Sequence, residues 1–254
     1  KVTSETEDII RKELNDPKVE IMQHGPAAEQ GVLFSSIVNM CSRNNGRTGM
    51  GLVMASKNLR AIAVRGTRKP DIADPKALTA LAKQGVTWIE DNLDVKGIAE
   101  LGTPAVVLPQ NAMGTLPTRN YTEGQFEKAE EISGERMSDT ILKRRDTCFT
   151  CAVRCKRVVE IKEGDYPVDP RYGGPEYETL STFGSYCGVY DLAAVSYANQ
   201  LCNMYGVDTI SCGATVAFAM ECFEKGIISL RQTGGLELRF GKAESMVKAV
   251  RQIV

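Results

Sequence analysis

Three thiols fall within eight positions of the stretch RRDTCFTCAVRCKR: Cys148, Cys151 and Cys155. A C-x2-C-x3-C spacing presents sulfur ligands from a tight loop and the turn that follows it. Zinc asks for four tetrahedral ligands, commonly two C-x2-C pairs or cysteines with histidine. The chain has one histidine, His24, far upstream, and no second C-x2-C pair. An iron–sulfur cluster commonly takes three cysteines from a compact motif and a fourth from a distant site. Arg144, Arg145, Arg154, Lys156 and Arg157 flank the thiols and would offset the negative charge of a thiolate-ligated cluster. The spacing favours iron–sulfur over zinc, with a metal-free loop as the third reading.

Three further stretches hold residues with chemical potential. In NNGRTGMG, Gly46, Gly49 and Gly51 lead into a helix. Such a turn lets backbone N–H groups approach an anion, and Arg47 adds a charge suited to a phosphate. The spacing is neither that of a P-loop nor that of a dinucleotide fingerprint, so by itself an ordinary Gly-rich turn is the simpler reading. In GGPEYETL, Glu176 and Glu178 flank Tyr177. On a helix the two carboxylates stand ~200° apart, so only one is expected to face a site. A carboxylate beside a desolvated centre suits proton transfer, whereas acids behind a proline also simply favour a helix start. In GVDTISCG, Asp208 and Ser211 are good helix caps. Cys212 beside them could serve as a soft ligand for a heavy metal.

The elements that must position these residues are legible in outline. TSETEDIIRKELND reads as a helix capped by Thr3 or Ser4, and KVEIMQHG as a strand. QGVLFSSIVNM is strand-like, and LVMASKN and LRAIAVRG read as a short helix and a strand. TRKPDIADP, with two prolines and mixed charge, reads as a linker. Beyond it helical periodicity dominates. DPKALTALAKQGVTWIEDN has Asp74 as cap and Pro75 in the first turn. SGERMSDTILKRRD is expected as a helix running into the cysteines, followed by a strand at RVVEIKEGDYPV. DLAAVSYANQLCNMYG, TISCGATVAFAMECFEKG and GKAESMVKAVRQIV are strong helices. The fold class expected is α+β. Residues 1–68 form the strand-rich part and residues 69–254 the mostly helical part.

Composition narrows the function classes. The chain has 254 residues, 43% hydrophobic and 25% charged, with a formal net charge of −1. That balance argues against binding driven by bulk charge, as at nucleic acid or a membrane surface. No apolar run approaches the ~20 residues of a membrane span. The start is polar and amphipathic without a signal-peptide core, so a cytoplasmic location is expected and the eight cysteines are not expected to pair. Cys202 and Cys222 sit in apolar helical settings and read as small buried hydrophobes. The first residue is Lys and the last ones stop inside a helical pattern, so a piece of a longer protein is expected.

Several stretches together resemble the aldehyde:ferredoxin oxidoreductase family of tungsten- or molybdenum-pterin enzymes. They are GRTGMGLVMASKNLRAIAVRG, LPTRNYTEGQFEKAEEISGE, CFTCAVRCKR, GGPEYETLSTFGSYCGVYD, ANQLCNMYGVDTISCGATVAFAMECFEKGII and GLELRFGKAE, in the family's order. The resemblance implies a β-rich base domain ending near residue 68, then most of a helical second domain. It implies two pterin dithiolenes around one tungsten or molybdenum, and a four-iron four-sulfur cluster held by Cys148, Cys151 and Cys155. The fourth cysteine comes from much further along the family's chain than residue 254. Arg47, Thr48 and Gly49 are expected near a pterin, as are Asp208 and Ser211. Glu178, in preference to Glu176, is expected with Tyr177 to line the tungsten site. The branch of tungsten benzoyl-CoA reductases uses a cysteine on the metal, which makes Cys212 a candidate ligand. The implied activity is oxidation of an aldehyde to an acid, with electrons passed to ferredoxin or another electron carrier. Alternatives are a benzoyl-CoA-reductase-type catalytic subunit and a non-catalytic iron–sulfur or zinc module keeping the fold. Either a homo-oligomer or completion by a C-terminal part is expected.

Overall fold

The computed structural model describes all 254 residues, Lys1–Val254. Half the residues are helical (50%) and 12% lie in strands, which is the α+β class expected. α1 (Thr3–Leu14) starts behind Val2, whose N–H donates to Glu5 Oε2 at 3.1 Å. Thr3 and Ser4 are not its caps. Both are buried and dock the helix instead: Thr3 Oγ1 donates to Asn203 O at 2.9 Å, and Ser4 Oγ meets the Tyr172 hydroxyl at 2.6 Å.

One antiparallel sheet follows, built from β1 (Glu20–His24), β2 (Ile37–Asn39), β3 (Arg43–Asn45) and β4 (Ala61–Val64) in the order β3-β2-β1-β4. Met22 stands opposite Asn39 on one side and Ile62 on the other. Two short helices, α2 (Pro26–Glu29) and α3 (Met50–Ser56), connect the strands. The apolar run at residues 30–40 is strand only over its last part. Its first part is drawn toward the helical body: Ser36 N donates to Gly206 O at 2.8 Å, and Phe34 O accepts from Asp208 N at 3.0 Å. Backbone groups used there are not free for the sheet.

Residues 65–74 carry no helix or strand. α4 (Pro75–Asp91) begins where expected, Asp74 accepting from Lys76 N and Ala77 N, yet it buries no residue. α5 (Leu93–Leu101), α6 (Val107–Ala112) and α7 (Gly134–Thr140) lead to the cysteine region. The helix expected to run into the cysteines stops at Thr140. β5 (Leu142–Asp146) takes over and pairs antiparallel with β6 (Lys156–Val159), Arg144 opposite Val158. Residues 142–146 gain a ladder on Val158 and Val159, and the β-branched partners favour that state over helix. The cysteines occupy the connection of this hairpin.

The core sits among α8 (Tyr177–Phe183), α9 (Leu192–Tyr205), α10 (Thr209–Glu224) and α11 (Ala243–Ile253), within one cluster of 30 buried apolar residues. Asp191 caps α9 through Ala193 N and Ala194 N, and Asp208 caps α10 through Ile210 N and Ser211 N. Gly213 allows α10 to lie against α8: a Cβ there would stand 2.6 Å from Thr182 Cβ. No helix is long and apolar enough to cross a membrane.

Candidate functional site

A cavity of about 760 Å³ opens where the sheet, the cysteine hairpin and the N-terminal ends of α8 and α10 meet. Its lining includes Gly46 and Arg47 from the Gly-rich turn, Glu176, Tyr177 and Glu178 from the start of α8, and Asp208 from the start of α10. Cys148 lies on its wall. These residues span more than 160 positions, so their meeting is a property of the fold. Two backbone hydrogen bonds tie the strand–turn segment to the α9–α10 junction, and a hydroxyl contact between Thr179 and Thr209 brings the start of α8 to the start of α10. The Gly-rich turn approaches Asp208 closely, since a Cβ on Gly46 would stand 3.1 Å from Asp208 Oδ1.

At the start of α8 both carboxylates line the cavity, against the expectation that only one would. Glu176 is the N-cap residue and not part of the helical turn, so the ~200° argument does not govern the pair. Their surroundings differ. Glu176 Oε1 accepts from Lys156 Nζ at 2.8 Å, and Oε2 accepts from Thr103 Oγ1 at 2.6 Å. Thr103 Oγ1 also accepts from Tyr177 N at 2.9 Å. Glu178 is exposed at the cavity and enters no salt bridge. Burial, with the Glu178 carboxylate beside it, raises the Tyr177 hydroxyl above the ordinary phenol range. Thr179 and Thr209 share a 2.8 Å hydroxyl contact that links the two helix starts.

Asp208 is 5% exposed and spent largely on capping. Its Oδ2 accepts from Ser211 N at 2.9 Å and from Ser211 Oγ at 2.5 Å. Ser211 therefore faces its cap and does not line the cavity. Cys212 is the clearest departure from expectation. It is fully buried in the helical core beside Cys187 and Cys202, away from the cavity lining. Ile210 faces the cavity, and ~200° of helix separates it from Cys212. The metal-ligand role considered for Cys212 has no geometric support. Thr48 and Gly49 also lie off the cavity. Both have positive φ, 79° and 71°, and they shape the turn that presents Arg47.

The cysteine loop is partly open to solvent: Cys148 is exposed, and Cys151 and Cys155 are half-buried. It is held by Cys151 N donating to Cys148 O at 3.1 Å and by Thr147 Oγ1 donating to Cys151 O at 2.6 Å. None of the three is sequestered in an apolar pocket. No three His, Cys, Asp or Glu side chains stand close enough to hold one metal ion, so the thiols do not converge on a single-ion point. A cluster of several irons sets each thiolate on its own iron and asks for a wider arrangement.

Sequence reasoning missed a second set of lining residues: Arg43, Asn44, Thr103, Asn199 and Asn203. Arg43 Nη2 donates to Asp146 Oδ2 at 3.1 Å and so ties β3 to the cysteine hairpin. Asn199 and Asn203 lie four apart on α9 and share one face. Two amides at that spacing inside an apolar helix were the available signal. Six buried side-chain polar atoms in the protein lack a hydrogen-bond partner, and three belong to this lining: Arg43 Nε, Arg157 Nε and Asn199 Nδ2. All three are N–H donors. Each unpaired buried donor costs about 1–3 kcal/mol. A cavity wall with surplus donors, and with Arg47 free of any salt bridge, suits a ligand rich in acceptors and negative charge.

The chain matches known proteins along most of its length. Residues 1–66 match the N-terminal domain of aldehyde ferredoxin oxidoreductase, and residues 80–254 match domains 2 and 3 of the same enzyme family. The tungsten-containing aldehyde ferredoxin oxidoreductase of Pyrococcus abyssi is 39% identical over 96% of this chain. That of Thermococcus kodakarensis is 38% identical over the whole chain. The chain covers 40% and 41% of those two proteins, so it spans about two-fifths of the length of the curated relatives it matches. Among solved structures, the active site complex BamBC of benzoyl coenzyme A reductase with 1,5-dienoyl-CoA shares the fold. It has a TM-score of 0.75 at 24% identity, over 99% of this chain and 39% of that one. With matched segments on both sides of the cavity and through most of the helical body, the chain belongs to the aldehyde ferredoxin oxidoreductase family.

Proposed function

We propose that this chain forms part of a tungsten-pterin oxidoreductase that oxidises aldehydes to carboxylic acids. The observation that carries the reading is the meeting of Arg47, Glu176, Glu178 and Asp208 at one cavity beside Cys148. The donor-rich lining fits a pterin dithiolene, which offers ring carbonyl and nitrogen acceptors, thiolates and a phosphate. Arg47 and the Gly46 turn would hold the phosphate end, and Asp208 would accept from pterin N–H groups. Cys148, Cys151 and Cys155 would hold the four-iron four-sulfur cluster, with its fourth ligand supplied from outside residues 1–254. Molybdenum in place of tungsten would leave these roles unchanged. Residues 1–68 would be the end of the base domain and residues 69–254 most of the next.

When bound, the tungsten centre supplies oxygen-atom transfer and accepts two electrons. Conversion of an aldehyde and water to a carboxylic acid releases two protons and two electrons. Glu178, unpaired at the cavity, is placed to take a proton from the reacting water or aldehyde hydrate. Glu176 is held by Lys156 and Thr103 and acts as a positioning residue for that wall. Tyr177, kept neutral by burial and by Glu178, can donate a hydrogen bond to a substrate oxygen. The electrons would leave through the cluster to a ferredoxin or similar carrier in the cytoplasm. The remainder of the site would come from a C-terminal part or a further subunit.

The test is metal and activity analysis, without oxygen, of this chain together with the C-terminal part or subunit that completes the site; residues 1–254 alone are expected to be a poor enzyme and an incomplete cofactor binder. Tungsten with iron and acid-labile sulfide, and viologen reduction that depends on aldehyde, are expected. Glu178→Gln should lower kcat by roughly 10²–10⁴-fold with metal content kept. Zinc as the sole metal would sink the reading in favour of a structural module. Reactivity toward aryl-CoA thioesters but not aldehydes would move it to the benzoyl-CoA-reductase class.

A further inference from the structure

Asn199 is 5% exposed, lines the cavity, and uses neither end of its amide in a hydrogen bond with the protein. The two other amides at this wall are spent. Asn44 Nδ2 donates to Asn203 Oδ1 at 2.6 Å, and Asn44 Oδ1 accepts from Ser36 Oγ at 2.8 Å. Asn203 Nδ2 donates to Tyr172 O at 2.9 Å. Asn199 alone is left over, one helical turn from Asn203 on the same face of α9. On the neighbouring turns of α9, Val195 and Cys202 are apolar and fully buried whereas Ser196 and Asn203 are polar, so a leucine at 199 would keep apolar contact on one side and remove the unpaired donor. An amide kept unpaired in such a place lowers the stability of the ligand-free protein.

We infer that Asn199 is a recognition residue for a heteroaromatic ring edge: its amide pairs, donor to acceptor and acceptor to donor, with the ring edge of the pterin. A side-chain amide presents an N–H and a C=O side by side, the complement of a lactam or amino-imine edge. This rests on the reading of the cavity as a pterin site and adds a residue to it. Asn199 does not touch the reacting atoms in this scheme; it selects and seats the ring.

The experiment compares two quantities in wild type, Asn199→Leu and Ser196→Ala: pterin bound per polypeptide after extended dialysis, and the thermal midpoint of the cofactor-free protein. Ser196 supplies the control. Its hydroxyl is also buried and unpaired on α9, but it does not line the cavity. Asn199→Leu is expected to weaken pterin retention by roughly tenfold or more while raising the cofactor-free midpoint. The two readouts move in opposite directions, which a purely structural role would not produce. Ser196→Ala should leave retention unchanged. Asn199→Ala should lose pterin as the leucine variant does, should leucine prevent folding. Retention at the wild-type level in both Asn199 variants overturns the inference alone. So does a loss of pterin that only tracks a fall in the cofactor-free midpoint. A wild-type protein without any pterin overturns the cavity reading and the inference with it.

Discussion

At Gly25 a Cβ would stand 1.9 Å from Tyr205 O and 2.4 Å from Gly206 N, whereas the 17 residues of α4 bury no side chain. The first region is where the end of β1 meets the end of α9, backbone against backbone. The second is a well-capped amphipathic helix with Leu81 and Trp88 58% and 60% exposed. Both are regular, well-formed structure, but only the first holds the molecule together. The cavity depends on it, because Asp208 lies two residues after Gly206 and the Gly-rich turn is brought to Asp208 by the same junction. Secondary structure alone therefore says little about which parts of this chain are stable. Contact between distant backbones does.

The largest effect that would break this contrast is at the junction. Gly25→Ala is expected to destabilise by about 3 kcal/mol, since the clash is with main-chain atoms that cannot rotate away. Guanidinium unfolding followed by far-UV circular dichroism gives the value. A change below about 0.5 kcal/mol would show that the two backbones are not locked together. Next in size is Asp208→Ala, which removes the cap of α10 and the bond to Ser211. A loss of about 1–2 kcal/mol is expected from the same measurement.

His24, beside Gly25, sharpens the comparison through pH. It is 2% exposed, with Nδ1 2.9 Å from Gly25 O and 3.0 Å from Arg60 Nη1. Burial, with the Arg60 charge adding to it, lowers its pKa below the ordinary histidine value, outweighing the hydrogen bond to Gly25 O and the Glu29 charge, which act in the other direction. The unfolded chain therefore takes up the proton first as pH falls. Stability from this group is complete above about pH 6.5 and is lost as pH drops from there through the lowered folded value. His24→Asn should remove that part of the slope between about pH 7.5 and pH 5.5. Equal slopes in the two proteins would place the titration elsewhere.

How much of this could be read from the sequence follows the same division. α4 was legible to the residue, because Asp74, Pro75 and the apolar period are local signals. α9 and α10 were legible for the same reason, and so was the role of Asp208 as a cap. The switch from helix to strand after Thr140 was not, because it depends on a partner strand 14 residues away. Thr3 and Ser4 look like caps and instead act as tethers to Asn203 and Tyr172, 200 and 168 positions on. At the site, the Gly-rich turn, the Glu176–Glu178 pair and Asp208 were legible as candidates. Their meeting was expected only through the family resemblance. Asn199 escaped because its spacing to Asn203 marks a polar face of α9 but carries no local mark of an unfilled hydrogen bond. Cys212 misled because a helix-start position names the neighbourhood and leaves the direction of the side chain open.

The smallest effect belongs to α4, and it tests the other half of the contrast. Leu81→Glu puts a charge on the apolar face of α4, at a side chain 58% exposed. In a buried helix such a change would be severe. Here it should change the unfolding free energy of the 254-residue chain by less than about 0.5 kcal/mol, as surface substitutions do. Trp88 is the one tryptophan of the protein and lies on this helix, so its fluorescence reports on α4. Its emission should already be that of a hydrated indole before denaturant is added, and should change little through the transition seen by circular dichroism. A blue-shifted emission that moves with the main transition, together with a large loss from Leu81→Glu, would show that α4 is packed against the body in solution. The difference between the two regions would then vanish.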